Sequence, residues 1–82
     1  MKLEERVIDE DRVEYGIGNG LYIVCVRDPR SGKVVGSRVQ GEATGGERAD
    51  QIVARSGLPA DYRDQVLTAA RAYFENRDTA TN

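Results

Sequence analysis

Residues 12–27, Arg12-Val-Glu-Tyr-Gly-Ile-Gly-Asn-Gly-Leu-Tyr-Ile-Val-Cys-Val-Arg27, decide the fold. Val13, Tyr15 and Ile17 alternate with Arg12, Glu14 and Gly16, the period of two of a strand with one buried face. Gly18-Asn19-Gly20 follows, and Asn-Gly tolerates the positive φ angles of a type I′ hairpin turn. Leu21 to Val26 is then apolar at every position, as in a central strand. Asp28-Pro29-Arg30-Ser31-Gly32-Lys33 is a second turn: Asp bonds back onto it, Pro presets φ and Gly supplies a left-handed residue. Lys33 to Gly41 completes a three-stranded antiparallel meander. Upstream, residues 3–8 read as a fourth, edge strand joined through Asp9-Glu10-Asp11, with a short helix as the competing reading.

Downstream the period changes to that of helices. Thr44-Gly45-Gly46-Glu47 has the spacing of a capping box. Ala49, Ile52 and Val53 make a short apolar stripe, and Gly57 stands where a left-handed residue ends a helix, with Leu58 and Pro59 after it. From about Ala60 to Asn76, residues Tyr62, Val66, Ala69, Ala70, Tyr73 and Phe74 recur at three- and four-residue steps. The expected fold is α+β, a three- or four-stranded antiparallel β-meander followed by two C-terminal α-helices packed on one face. It forms a single domain over 1–82, with 1–11 an edge strand or lead-in, 12–41 the meander, 44–77 the helices and 78–82 a frayed tail.

Turn lengths give an expected register. A two-residue Asn19-Gly20 loop pairs Ile17 with Tyr22, Tyr15 with Val24 and Val13 with Val26. A four-residue loop over Pro29 to Gly32 pairs Asp28 with Lys33, Val26 with Val35, Val24 with Ser37 and Tyr22 with Val39. Val13, Tyr15, Ile17, Tyr22, Val24, Val26, Val35 and Val39 then face the helices. The other face carries Arg12, Glu14, Leu21, Ile23, Cys25, Arg27, Val34 and Arg38, an apolar strip rimmed by arginine. Such a strip reads as a partner or dimer surface, or as the tolerated centre of a small sheet.

Composition removes several chemistries. The 82 residues hold no His, no Trp and one Cys, with ten Arg, two Lys and 14 carboxylates for a net charge of −2. Without His there is no Ser-His or Cys-His nucleophile and no His- or Cys-rich zinc site. A single Cys makes no internal disulfide, which fits a reducing cytoplasm. No run approaches the roughly 20 apolar residues of a membrane span, and residues 1–15 lack the apolar core of a signal peptide. Cys25 reads as a structural thiol. Asp9-Glu10-Asp11 lacks the alternating oxygen ligands of a calcium loop and reads as a solvated turn. Gly16 to Gly20 is too short for a dinucleotide fingerprint. No catalytic residue, metal site or cofactor is expected, and the chain reads as a non-enzyme.

The net charge conceals a dipole. Residues 1–15 sum to −3, whereas residues 27–38 sum to +3 through Arg27, Asp28, Arg30, Lys33 and Arg38. This basic hairpin resembles those of integrase arm-type and plant AP2-like domains, which lay a three-stranded sheet on DNA. The overall acidity and the acidic amino terminus oppose phosphate binding. A small nucleic-acid-binding accessory using residues 27–38 is the alternative function.

Val13-Glu14-Tyr15 before the Gly-Asn-Gly turn, Gly32-Lys33-Val34-Val35-Gly36-Ser37-Arg38, Gly57-Leu58-Pro59 and the ending Phe74-Glu75-Asn76-Arg77 support a further comparison. With four strands followed by two helices, the chain resembles the small type I-F anti-CRISPR inhibitors of phages over about Arg12 to Arg77. The resemblance implies a sheet that docks on the backbone subunits of a CRISPR surveillance complex and blocks pairing of guide with target DNA, through strand tyrosines and a glutamate. Tyr15 matches the tyrosine of the second strand. Arg27 falls at or near the glutamate with reversed sign, and the amino-terminal tyrosine has no counterpart. The expected function is therefore a non-enzymatic phage or mobile-element protein, cytoplasmic in a bacterial host and monomeric or weakly dimeric. It would bind CRISPR effector subunits through Arg12, Tyr15, Leu21, Ile23, Arg27, Arg30, Lys33 and Arg38.

Overall fold

The structure, a computed structural model, describes residues 1–41 and 48–80. Its elements are β1 (Glu4–Asp9), β2 (Arg12–Gly18), β3 (Leu21–Arg27), β4 (Val34–Gly36), β5 (Gln40–Gly41), α1 (Ala49–Arg55) and α2 (Tyr62–Ala80). The sheet is antiparallel in the order β1-β2-β3-β4, with β5 pairing the start of β3. The α+β class with two C-terminal helices is the one expected. Residues 4–9 form the edge strand, not a helix, because the following acidic turn folds them back. Asp9 accepts the Asp11 backbone N–H at 3.0 Å and the Arg12 Nε–H at 2.8 Å, which turns the chain. Val7 then pairs with Val13.

The β2–β3 turn has the expected residues and an unexpected consequence. Asn19 and Gly20 both have positive φ, 57° and 75°, as a type I′ turn requires. Gly18 also has positive φ, at 103°. Gly18 pairs with Leu21 but Gly16 pairs with Tyr22, so Ile17 is an extra residue in the ladder, a β-bulge. One extra residue inverts the facing of everything beyond it. Val13 pairs with Cys25 and Tyr15 with Ile23, not with Val26 and Val24. Leu21, Ile23 and Cys25 therefore join Val13, Tyr15, Ile17 and Val34 in the core, all under 8% exposed. Tyr22, Val24, Val26 and Val35 turn away from it. The expected facing of β2 and the Val26–Val35 pairing hold, but the β3 and β4 residues assigned to solvent, Leu21, Ile23, Cys25 and Val34, are the ones the helices cover.

The second turn follows expectation. The Asp28 N–H donates to the Lys33 carbonyl at 2.8 Å, and Val26 pairs with Val35. Beyond Gly36 the ladder breaks. Ser37 Oγ accepts the Val24 N–H at 3.0 Å and donates to the Arg38 carbonyl at 2.8 Å. Pairing resumes one residue out of step, so Tyr22 faces Gln40 in place of Val39. Val39 packs instead against the core.

The helices cover the face that carries Ile23. Val66, Ala70 and Phe74 recur every four residues along α2 and are buried with Ile52 of α1. A Cβ at Gly36 would stand 3.4 Å from both Ile23 Cγ2 and Leu67 Cδ2, so the missing side chain lets α2 lie close on β4. The first helix starts after Arg48, whose N–H donates to Gln51 Oε1 at 3.0 Å. The Thr44–Glu47 capping box lies outside the described residues. Gly57, at φ 65°, ends the helix in the left-handed conformation expected of it. The second helix runs to Ala80, past the expected stop at Asn76, because its last turns find partners. Arg77 donates to the Glu10 carbonyl and Asp78 pairs with Arg27.

Candidate functional site

Among the described residues, no helix covers the sheet face that carries Tyr22, Val24, Val26 and Val35, which form one apolar stripe across β3 and β4. Register places Arg12, Val26 and Val35 in one row, Glu14 and Val24 in the next, and Gly16, Tyr22 and Gln40 in a third. Val26 is 37% exposed and Val35 52%, while Tyr22 and Val24 are half-buried. Gly16 has only a hydrogen, which leaves a dip between Glu4 and Tyr22.

Two ion pairs lie beside this stripe. Arg6 Nε lies 3.5 Å from Glu14 Oε2, and Arg12 Nη2 lies 2.6 Å from Asp9 Oδ2. The Arg12 guanidinium, with the Asp11 backbone N–H, holds the Asp9 carboxyl below its ordinary value, and Asp9 in turn raises Arg12. An apolar centre with a polar, charge-paired edge is the anatomy of a protein-binding surface. A phosphate backbone asks for the opposite, unpaired cations in a row.

The residues expected to make the contact do not form one surface. Arg12 is exposed at the border of the open face. Tyr15 is buried, and its hydroxyl donates to Glu5 Oε1 at 2.7 Å. Leu21 and Ile23 are core residues, 2% and 1% exposed, so their place on a free face is corrected by the Ile17 bulge. Arg27 points to the helix side. Its Nη2 donates to Asp11 Oδ1 at 3.1 Å, its Nη1 pairs with Asp78, and its Cζ lies 5.2 Å from the Phe74 ring centroid. Arg30 and Lys33 are exposed on the second turn, where the Arg30 N–H donates to Asp28 Oδ1 at 2.8 Å. That bond holds the Asp28 carboxyl below its ordinary value. Arg38 is exposed beside the helices, next to Arg48 and Arg63. The four cations of the basic hairpin thus separate into an internal clamp, a turn and a helix-side cleft.

Sequence reasoning missed Tyr22, Val24, Val26 and Val35 as the open stripe. Their period-two spacing was visible, but equally regular spacing in Leu21, Ile23 and Cys25 concealed which set is covered. The signal for the bulge was Gly18, a third consecutive residue suited to positive φ. Cys25 is fully buried, and burial pushes its thiol above the ordinary value, the behaviour of an inert structural cysteine. Among the described residues, no three Cys, Asp or Glu side chains converge to hold a metal ion, and no helix is long and apolar enough to cross a membrane. Compared with known proteins, the chain matches no family model, no curated protein and no solved structure.

Proposed function

We propose that this chain is a non-enzymatic phage or mobile-element protein that binds a CRISPR surveillance complex in the host cytoplasm and inhibits it by occupying a surface. The contact is carried by Tyr22, Val24, Val26 and Val35. The observation behind the binding role is this stripe, left bare by both helices and bordered by charges already paired on the chain. The choice of target rests on the resemblance to the type I-F anti-CRISPR inhibitors, whose sheet side also makes the contact. Separation of Arg27 from Arg30, Lys33 and Arg38 favours a protein partner over direct nucleic-acid binding.

The test is co-elution of the purified chain with a type I-F surveillance complex, followed by target-DNA binding by that complex. The expected result is a stable complex that no longer captures target DNA. Val26→Asp with Val35→Asp should abolish both effects while the circular dichroism spectrum stays native. Retained inhibition in that folded double variant would remove the open face from the proposal. Failure of the unaltered chain to associate would remove the target.

A further inference from the structure

On the helix side, between the β4–β5 connection and the first residues of both helices, lies a cleft of about 680 Å³. Arg38, Arg48, Arg63 and Tyr62 line it, with Asp50 at one side and Val53, which packs on the core, as an apolar wall. This volume falls within the roughly 300–1,000 Å³ of small-molecule sites. Among the described residues, three guanidinium groups against one carboxylate line the cleft, a charge of +2 in a chain whose net charge is −2.

Arg6 lies against Glu14, Arg12 against Asp9, Arg27 against Asp11 and Asp78, and Arg77 against Asp78. The cleft arginines differ from these four. Arg63 Nη2 donates to the Gly36 carbonyl at 3.3 Å, and among the described residues no carboxylate forms an ion pair with Arg38, Arg48 or Arg63. Each guanidinium presents five N–H donors in a planar fork and accepts nothing. Three such groups line this one space. A carboxylate offers two oxygens in one plane and suits a single fork. A phosphate offers oxygens in three dimensions and takes several charge-assisted bonds together. Tyr62 and Val53 then give an organic body an aromatic and an apolar wall.

We propose that this cleft binds a small phosphorylated ligand, its phosphate held by Arg38, Arg48 and Arg63 and its body lying against Tyr62 and Val53. The site lies on the helix side and is independent of the contact proposed for the open sheet face.

The test is titration of the full ¹⁵N-labelled chain with pyrophosphate and with AMP at low ionic strength, read by arginine Nε–H and backbone shifts and by calorimetry. Saturable binding should move the Nε–H signals of Arg38, Arg48 and Arg63. Arg38→Gln and Arg48→Gln should each weaken it about tenfold, the scale of one lost charge-assisted pair. Both side chains are exposed, and native circular dichroism of the variants confirms that binding alone has changed. Arg30→Gln with Lys33→Gln, which removes twice that charge from the second turn, should change affinity less than about twofold. Tighter binding of AMP than of pyrophosphate would assign a role to the Tyr62 wall, and equal binding would assign the phosphate alone. No saturation by about 10 mM ligand, equal loss in the turn variant, or equally tight binding of succinate would each overturn the proposal. So would binding of a DNA duplex without binding of AMP or pyrophosphate.

Discussion

Arg27 Nη1 stands 2.5 Å from Asp78 Oδ2, which ties the end of β3 to the last turns of α2. The same guanidinium reaches Asp11 in the β1–β2 turn and lies over Phe74, so one side chain joins three segments. Its Nε is buried with no hydrogen-bond partner, so the planar group is held by its two terminal nitrogens and the ring. We predict that Arg27→Ala destabilises the fold by about 1.5–3 kcal/mol, through the lost ion pairs and cation–π contact. Asp78→Asn should cost below about 1 kcal/mol, because that carboxylate is half exposed and solvent screens it. Arg27→Lys should not restore stability, since one ammonium cannot span both carboxylates. Urea unfolding midpoints at constant slope measure all three. Charge reversal at Arg27 consequently reports on folding before it reports on any partner.

The β2–β3 register yields a second prediction. Gly18 at φ 103° and Gly20 at φ 75° occupy conformations that L side chains rarely adopt, and each →Ala change should cost about 1 kcal/mol or more. Gly16 is the internal control: an added Cβ would meet only Glu4, at 3.5 Å or beyond, so Gly16→Ala should stay within about 0.5 kcal/mol. Deletion of Ile17 removes the bulge together with a buried side chain, but leaves Tyr15 opposite Ile23 and Val13 opposite Cys25. The expected outcome is an unfolding transition that stays cooperative and is destabilised by about 2–5 kcal/mol, the range for losing a buried aliphatic side chain, seen by calorimetry.

That same bulge marks the boundary of what the residues made legible. The α+β class, the Asn-Gly and Asp-Pro turns, the edge strand and the Gly57 stop all rest on local chemistry, and each is present. The covered face was not legible, because β3 is apolar at every position from Leu21 to Val26 and hydrophobic burial favours neither orientation. The choice follows from a backbone event at Gly18 and from Arg27, which belongs on the side where Asp78 and Phe74 lie. Asp78 lies 51 residues away in sequence, so its influence is tertiary. The second helix outran its expected end for the same reason, since Arg77 and Asp78 are polar in sequence but anchored in space. The candidate site inherited the inverted face, which is why Leu21 and Ile23 stood in it and Tyr22 and Val35 did not.

Paired substitutions on the two faces of the sheet give a third prediction. Ile23→Ala should cost about 2–5 kcal/mol, the usual range for truncating a fully buried aliphatic side chain. Val35→Thr, at a residue 52% exposed, should stay within about 0.5 kcal/mol. Equilibrium denaturation of both decides the facing of the sheet. A large loss at Val35 with a small loss at Ile23 would restore the register that turn lengths alone suggest.

Alkaline pH gives the fourth. The Tyr15 hydroxyl sits in the core and donates to Glu5, and burial first, then this bond, raises it well above its ordinary 10.0. Burial likewise raises the Cys25 thiol above 9.0. In both cases the folded state holds its proton where the unfolded chain would release it. The associated stability is therefore complete below about pH 9 and is lost as pH rises through the unfolded values toward the raised folded ones. The melting temperature should accordingly fall steadily above about pH 9. Tyr15→Phe removes one of the two ionisations and should flatten that fall above about pH 10, even though it lowers stability near neutrality by deleting the bond to Glu5. In the unaltered chain, the phenolate absorbance of one tyrosine should develop only with unfolding, and Cys25 should react with a disulfide reagent only at the rate of global opening. Rapid modification of Cys25 in the native protein would mean that β3 presents this thiol outward, and with it Leu21 and Ile23.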